Sequence, residues 1–541
     1  MTSTFCAAEK KIWFWRAFSI RRSTGGKYMM KTAYTPCRKT RRHNSPELSP
    51  EADRKSKEDK MRTRTHTVEK IGGTSMADTQ AVMDNVLIGG RTGDALYNRI
   101  FVVSAYAGIT DMLLEHKKTR KPGVFALFSG TDSEWAWSDA VSKVCTEMRR
   151  INAEIFADKT DRAEADRFVR ERIEGVRSCL IDLNRLCSYG HFKLQTHLKT
   201  VREMLSAVGE AHSAFNTTLL LQKCGVNAQF IDLTGWRDME HLDLDAHIRK
   251  VFDGIDLSQT LPIVTGYTQC NEGIVNIYDR GYTEITFSRI AVLTGAREAI
   301  IHKEYHLSSA DPAVISEDRI YPIGKTNYDV ADQLSNLGME AVHPRAAKGL
   351  RQAKIPLRVR NTFERDHEGT LIENGYRSKE PCVEIIAGRR GVYAVEFFDQ
   401  DMVGATGYDE EILKGVRKNG LKSIVKDYNA NTITYYLSGP LQQVKRLTAG
   451  LQKQFPNAKI NIHKVAIVAA IGSDMNKSGL LAEALDALET ARIGFRAAHQ
   501  TMRLADIQFV IYEDDYEKAV NALHRALIEP NVKGDRIAPA A

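Results

Sequence analysis

The first stretch able to do chemistry is Val68-Glu69-Lys70-Ile71-Gly72-Gly73-Thr74-Ser75, an apolar run that ends in a lysine and passes through two glycines. Glycine carries no Cβ, so Gly72 and Gly73 let backbone N–H groups approach a polyphosphate. A helix opening at Ser75 as N-cap, with Asp78 three residues on, adds the positive end of a helix dipole. Lys70 then bridges phosphates as a point charge. The chain holds no GxxxxGK[ST] loop, so this is not a Walker A element. Alone, Gly-Gly-Thr-Ser reads equally as an ordinary turn.

A second element of this kind is Val102-Val103-Ser104-Ala105-Tyr106-Ala107-Gly108-Ile109-Thr110-Asp111, whose Ser104 and Thr110 hydroxyls can orient a small polar molecule or cap helices. Gly209-Glu210, followed by Ser213-Ala214, places a carboxylate at an expected helix start. There it suits an ammonium group or simply the dipole. Asp279-Arg280-Gly281-Tyr282-Thr283-Glu284 offers a guanidinium that can grip a carboxylate with two N–H groups or join a surface ion pair. Val264-Thr265-Gly266-Tyr267, Ser309-Ala310-Asp311-Pro312 and Val342-His343-Pro344-Arg345 complete the series.

The elements that must position these residues are short apolar strands alternating with helices, the pattern of an α/β domain with a mainly parallel sheet. Strands are expected at Thr67 to Lys70, Ile100 to Ser104, Leu261 to Thr265 and Ala299 to Ile301. Ligands of such sheets collect at the carboxyl ends of the strands, where Lys70, Ser104, Thr265 and His302 fall. Charged, helix-compatible sequence over 115–215 predicts a helical lobe beside the sheet. After residue 375 the order becomes β-α-β-β-α and then repeats, at an offset of 73 residues from Met402 to Met475. Two copies of a small split β-α-β unit follow, over 385–460 and 461–535.

Composition limits the remaining classes. With 541 residues and 43% hydrophobic content the chain can bury several cores, and no run of about 18 apolar residues suggests a membrane span. Eight scattered cysteines without a CxxC pair argue against zinc and disulfide frameworks, and point to a reducing cytoplasm. The net charge of +8 is concentrated in residues 1–60, which hold 15 Lys and Arg against 6 Asp and Glu, leaving the body neutral and without the basic face that nucleic-acid binding needs. These 60 residues read as a disordered basic leader: an organelle transit peptide, a nucleic-acid arm, or an over-extended start with Met61 as the first residue.

Taken in order, these motifs resemble the aspartokinase branch of the amino-acid kinase family, whose pattern runs K-x-G-G-T-S, V-V-S-A-x-A-G-x-T, G-E-x-x-S-A, R-G-G-S-D, a T-D strand end before T-x-D-P, and K-V-L-H-P. The resemblance covers 66–375, the catalytic domain, and the two tail units resemble the family's paired ACT domains. It implies an amino-acid-kinase-like αβα sandwich followed by two ferredoxin-like ACT domains. It also implies transfer of a phosphoryl group from ATP to the side-chain carboxylate of L-aspartate. By this resemblance Lys70, Arg280 and Glu284 are catalytic, and Ser104, Thr110, Glu210 and Arg280 hold the substrate. Gly72, Gly73, Thr74, Ser75, His302, Lys303 and Asp311 join Lys70 around ATP. Mg²⁺ would ride chiefly on ATP oxygens, without a protein metal site. The tail implies a homodimer or higher homo-oligomer and leaves open either an amino-acid effector, at the turns Gly404 to Gly407 and Ser473 to Gly479, or a purely structural pairing role.

The departures from the pattern concentrate at the nucleotide end. Tyr282 and Glu284 replace Gly and Asp, His302-Lys303 replaces T-D, and Glu340 stands where K-V-L-H-P has its lysine. Lys303 gains a cation as position 340 loses one, which suggests that the nucleotide-binding charge has moved between strand ends; a swapped surface pair is the plainer reading. The strings Arg280 to Arg289 and Ile301 to Pro312 look like the aspartokinases that accompany ectoine synthesis. Two other readings use the same residues. One is an amino-acid sensor that has lost turnover through positions 284, 303 and 340. The other is a related carboxylate kinase acting on glutamate, against which Gly209-Glu210 and the tail argue.

Overall fold

The computed structural model describes residues 64–117, 119–130, 133–339 and 342–532, apart from the side chain of Arg280. The leader expected over 1–60 lies outside the described residues, as does Glu340. Fourteen strands form two sheets among the described residues. The first holds β1 (Thr67–Ile71), β2 (Arg99–Val103), β3 (Ala228–Ile231), β4 (Leu261–Thr265), β5 (Glu298–Lys303), β6 (Lys325–Asn327), β7 (Leu357–Asn361) and β8 (Thr370–Glu373). Their order is β3-β4-β2-β1-β5-β7-β8-β6, parallel from β3 through β7, with β8 reversed against β7. A parallel sheet needs helices on both faces, and the alternation of each strand supplies both. Ile71, Phe101, Val103 and Ile263 pack on one side against the helical lobe. Val68, Ile100, Val102 and Ile301 pack on the other.

The lobe consists chiefly of α1 (Glu134–Ile155), α2 (Lys159–Ser188) and α3 (Leu194–Lys223). Glu210 sits in the middle of α3 and not at a helix start. Gly209 is there because α3 crosses the 104–113 segment closely: a Cβ on it would stand 2.8 Å from the Cβ of Ala105. The opposite face carries α4 (Tyr282–Thr294), α5 (Tyr328–Leu337) and α6 (Pro344–Gln352). None of the described helices is long and apolar enough to cross a membrane.

The second sheet is antiparallel, in the order β10-β11-β9-β12-β14-β13, from β9 (Ile385–Phe398), β10 (Lys422–Tyr428), β11 (Thr432–Ser438), β12 (Lys459–Ile471), β13 (Phe495–Gln500) and β14 (Asp506–Tyr512). Helices α7 (Tyr408–Lys418), α8 (Leu441–Gln454), α9 (Leu480–Thr490) and α10 (Tyr516–Leu527) cover it. The long strands β9 and β12 each serve two β-α-β-β-α-β units. Residues 392–398 open the first unit and 459–465 close it. Residues 465–471 open the second, which is closed by the start of β9, where Ile385 pairs with Ile471. Gly391, at φ +69°, and a register shift after Val465 mark the crossover. The first unit is thus inserted into the second, and the boundary expected at 460/461 becomes a shared pair of strands. Met402 and Met475, the repeat markers, are both 1% exposed, one in each core.

Candidate active site

A cavity of 800 Å³ opens at the carboxyl ends of β1, β2 and β5. Lys70, the fourth residue of β1, is buried on the face of Val68, and its Nζ lies 3.6 Å from Glu284 Oε1. Glu284 stands in the first turn of α4, and its second oxygen accepts the backbone N–H of His343. Burial pushes the Glu284 carboxyl up, but Lys70, Lys303 and that N–H more than offset it, so the group titrates below the ordinary carboxylate range. A cation and an anion are therefore held together in a half-dry pocket, with Lys303 at the end of the adjacent strand lining the same cavity.

Across the cavity Glu210 is 2% exposed. Its Oε1 accepts the Thr283 hydroxyl at 2.6 Å, while Oε2 is buried without a hydrogen-bond partner. Burial raises its pKa to about 8, against the smaller opposing pull of Thr283 and Lys70. One turn later Ser213 donates to the Ser104 carbonyl at 2.8 Å, fixing the loop that follows β2 to the same helix. Gly73 brings the loop after β1 against this one: a Cβ there would meet the Ala105 carbonyl oxygen at 2.9 Å. The cavity thus has Lys70, Gly73 and Thr74 on one wall and a buried, half-satisfied carboxyl on the other.

Of the residues singled out from sequence, Lys70, Gly73, Thr74, Ser104, Thr110, Glu210, Glu284 and Lys303 all line this cavity. Gly72 and Ser75 stand behind it. The Gly72 N–H donates to the His302 carbonyl at 3.2 Å, and Ser75 accepts the Thr362 hydroxyl at 2.9 Å. The cap expected of Ser75 is supplied by Asp78, which accepts the Ala81 N–H at 2.9 Å. Arg280 falls between Asp279 and Gly281, both lining residues, with its side chain outside the description.

Two residues expected around ATP are elsewhere. His302 points to the opposite face of the sheet, where its Nε2 is 2.8 Å from Glu69 Oε2 and Glu69 also takes the Arg99 Nε–H at 2.8 Å. Strand alternation separates it from Lys303. Asp311 lies on a segment whose Ala310 and Ile315 belong to the core of the second tail unit, and it is absent from the cavity wall. Tyr282, noted only as a departure, is a wall residue packed edge-on against Tyr267 at 5.9 Å. Lys117 also lines the cavity; it comes from a loop of the lobe that carries no motif.

Residues 66–361 match the model of the amino acid kinase family. The chain is 53% identical over 475 residues to Aspartate kinase Ask_Ect of Stutzerimonas stutzeri (strain A1501), covering 88% of this chain and 100% of that protein. The chain belongs to the aspartate kinase branch of the amino acid kinase family. A more distant member, the chloroplastic bifunctional aspartokinase/homoserine dehydrogenase 1 of Zea mays, is 24% identical over 485 residues, which cover 85% of this chain and 50% of that protein. Among solved structures, E. coli aspartokinase III in complex with lysine and aspartate aligns with a TM-score of 0.63 at 18% identity, covering 86% of this chain and 100% of that one. The same enzyme with aspartate and ADP gives 0.63 at 20% identity, with the same coverage. These structures share the whole fold, a parallel-sheet kinase domain followed by the antiparallel ACT pair.

Proposed function

We propose that this chain transfers the γ-phosphoryl group of ATP to the side-chain carboxylate of L-aspartate, giving 4-phospho-L-aspartate and ADP. The observation that carries the reading is the pairing, across one cavity, of buried Lys70 with the unpartnered buried oxygen of Glu210. An α-ammonium donates to that oxygen after Glu210 gives up its proton, and the hydroxyls of Ser104 and Thr110 orient the substrate. Arg280, by the family resemblance, takes the α-carboxylate. The substrate's side-chain carboxylate then faces Lys70 and the Gly73–Thr74 backbone, over which the triphosphate lies.

No general base is required, because the attacking carboxylate is already ionised at neutral pH. One of its oxygens forms the new P–O bond as the bond to the ADP oxygen breaks, and catalysis consists of alignment and charge neutralisation. Lys70 and Lys303 supply cations to the phosphates, and Glu284 holds Lys70 in place. Mg²⁺ carried on the nucleotide oxygens would neutralise phosphate charge.

The 53% relative carries an ectoine-type name, in keeping with a cytoplasmic role in supplying a compatible-solute precursor alongside lysine, threonine and methionine synthesis. The ACT pair offers an amino-acid effector its turns at Gly404–Gly407 and Ser473–Gly479. It also offers a second copy of the chain its edge strands, where Tyr428 and Phe495 are exposed. A hydroxamate assay for acyl phosphate, with MgATP and aspartate, tests the reading. Product with aspartate and little with glutamate is expected, no product would leave an amino-acid sensor, and preference for glutamate would reassign the substrate.

A further inference from the structure

Lys117 lines the catalytic cavity from the lobe side. It is exposed, so its flexible four-carbon stem can swing the ammonium between solvent and a ligand bound in the cavity. The other described lysines of the wall are committed: Lys70 stands 3.6 Å from Glu284, and Lys303 acts on the same carboxyl. Of the lining carboxylates, Asp279 is held by Arg202 at 2.5 Å. Among the described residues Lys117 makes neither an ion pair nor a hydrogen bond.

A free lysine on a surface loop is ordinarily just solvated, but the backbone that carries this one is fixed to the substrate loop. Residues 114–117 and 119–123 form a narrow hairpin. Glu115 faces Pro122 in an antiparallel bridge, the His116 N–H donates to the Lys121 carbonyl at 2.9 Å, and the Arg120 N–H donates to the His116 carbonyl at 3.0 Å. The Arg120 guanidinium spans the hairpin to Glu115 at 2.7 Å, and the Thr119 N–H donates to His116 Nδ1 at 3.1 Å. The base of the hairpin abuts the short helix Ile109–Leu113. There the Gly123 N–H donates to the Leu114 carbonyl at 3.1 Å. A Cβ on Gly123 would stand 2.7 Å from the Asp111 carbonyl oxygen, 2.8 Å from that of Leu114 and closer still to that of Met112, so the approach requires glycine. Leu114 and Val124, at 1% and 0% exposed, seal the join. Thr110 and Asp111 on that helix line the cavity, so the segment that orients the substrate at Thr110 also sets the point from which Lys117 reaches.

Sheet order decides which reactant it meets. Strand β1 lies between β2 and β5, so the loop after β2, with Ser104 and Thr110, stands on one side of Lys70, and Lys303 stands on the other. The hairpin belongs to the β2 side, the aspartate end. Aspartate enters as a net anion past Asp111, Asp279 and Glu284, all on the cavity wall, and a cation on the lobe side offsets that repulsion. We propose that Lys117 is a substrate-binding residue, whose ammonium closes over bound aspartate from the lobe and pairs with the carboxylate remote from Lys70. The inference rests on the aspartate kinase reading given above.

Lys117→Met keeps the stem and removes the charge, whereas Lys117→Arg keeps both reach and charge. In hydroxamate kinetics on the full chain, Lys117→Met should raise aspartate KM about tenfold or more while ATP KM and kcat stay within about twofold of wild type, and Lys117→Arg should recover most of the loss. Added KCl should raise aspartate KM more steeply in the wild type than in Lys117→Met, which has one attraction fewer to screen. Because Lys117 is exposed, both variants should unfold at the wild-type Tm. An unchanged aspartate KM, a rise shared by ATP KM, a fall in kcat alone, or an arginine variant as impaired as the methionine one would overturn the role of Lys117. A wild-type chain that forms no acyl phosphate from aspartate would instead overturn the reading on which the inference rests.

Discussion

Glu210 links substrate binding to pH with a sign that can be worked out in advance. Its carboxyl is 2% exposed and titrates at about 8, so below that pH it is mainly protonated in the empty site. An α-ammonium pairs with the ionised form, and the apparent affinity for aspartate follows the ionised fraction. That fraction rises about fiftyfold from pH 6 to pH 8, so log KM for aspartate falls with a slope of about −1 per pH unit between pH 6 and 7, easing to about −0.5 at pH 8.

The same shift acts on stability in the opposite sense. The ordinary carboxyl value is 4.5 and the folded value is raised above it. Between the two the unfolded chain binds fewer protons, and stability declines as pH rises. Near pH 7.5 the cost approaches about 3 to 4 kcal/mol. Glu210→Gln removes it while keeping an acceptor for Thr283. This variant should therefore raise Tm by several degrees at pH 7.5, lose that advantage toward pH 4.5, raise aspartate KM about thirtyfold or more, and abolish its pH slope. Steady-state kinetics and thermal unfolding over pH 5 to 8 measure all four. A flat wild-type profile, or a variant that is destabilised at pH 7.5 with unchanged KM, would refute the assignment.

Lys70→Met should lower kcat by about 10²- to 10³-fold, as expected for loss of a positioned charge on the transferring group; product formation at a wild-type rate would exclude Lys70 from the site. Lys303→Ala should raise ATP KM and lower kcat while leaving aspartate KM nearly constant, and unchanged ATP kinetics would remove Lys303 from the nucleotide end. Glu69→Gln leaves the Arg99 guanidinium buried beside an uncharged partner, so unfolding measurements should find a loss of about 3 kcal/mol or more. A neutral outcome would mean that the Arg99 hydrogen bonds to the Leu87 and Val86 carbonyls suffice to hold it.

Much of this arrangement was legible because short apolar strands ending in small residues leave few alternatives: β1, β2, β4 and β5 lie where the pattern expects them, and their ends carry Lys70, Ser104 and Lys303 to one edge. What was missed has physical causes. His302 and Lys303 are sequence neighbours, but a strand sends them to opposite faces, so Lys303 joins Lys70 and His302 joins Glu69. Gly209 reads as a helix boundary, yet it is a point of close packing inside α3. Asp311 was drawn to the nucleotide by its motif, whereas Ala310 and Ile315 on either side are held by the core of the second tail unit, a long-range contact with no local signal. The tail showed only five elements per unit because each missing sixth strand is half of a longer one, and pairing of Ile385 with Ile471 is invisible to a repeat search.

The central claim is that one cavity brings two anions together between Lys70 and Glu210. A crystal structure with L-aspartate and a non-hydrolysable ATP analogue tests it most directly. The account predicts the substrate ammonium on Glu210 Oε2 and a side-chain carboxylate oxygen roughly 3 to 3.5 Å from the γ-phosphorus, beside Lys70. Nucleotide bound away from the Gly72–Ser75 loop, or aspartate with its ammonium remote from Glu210, would contradict it.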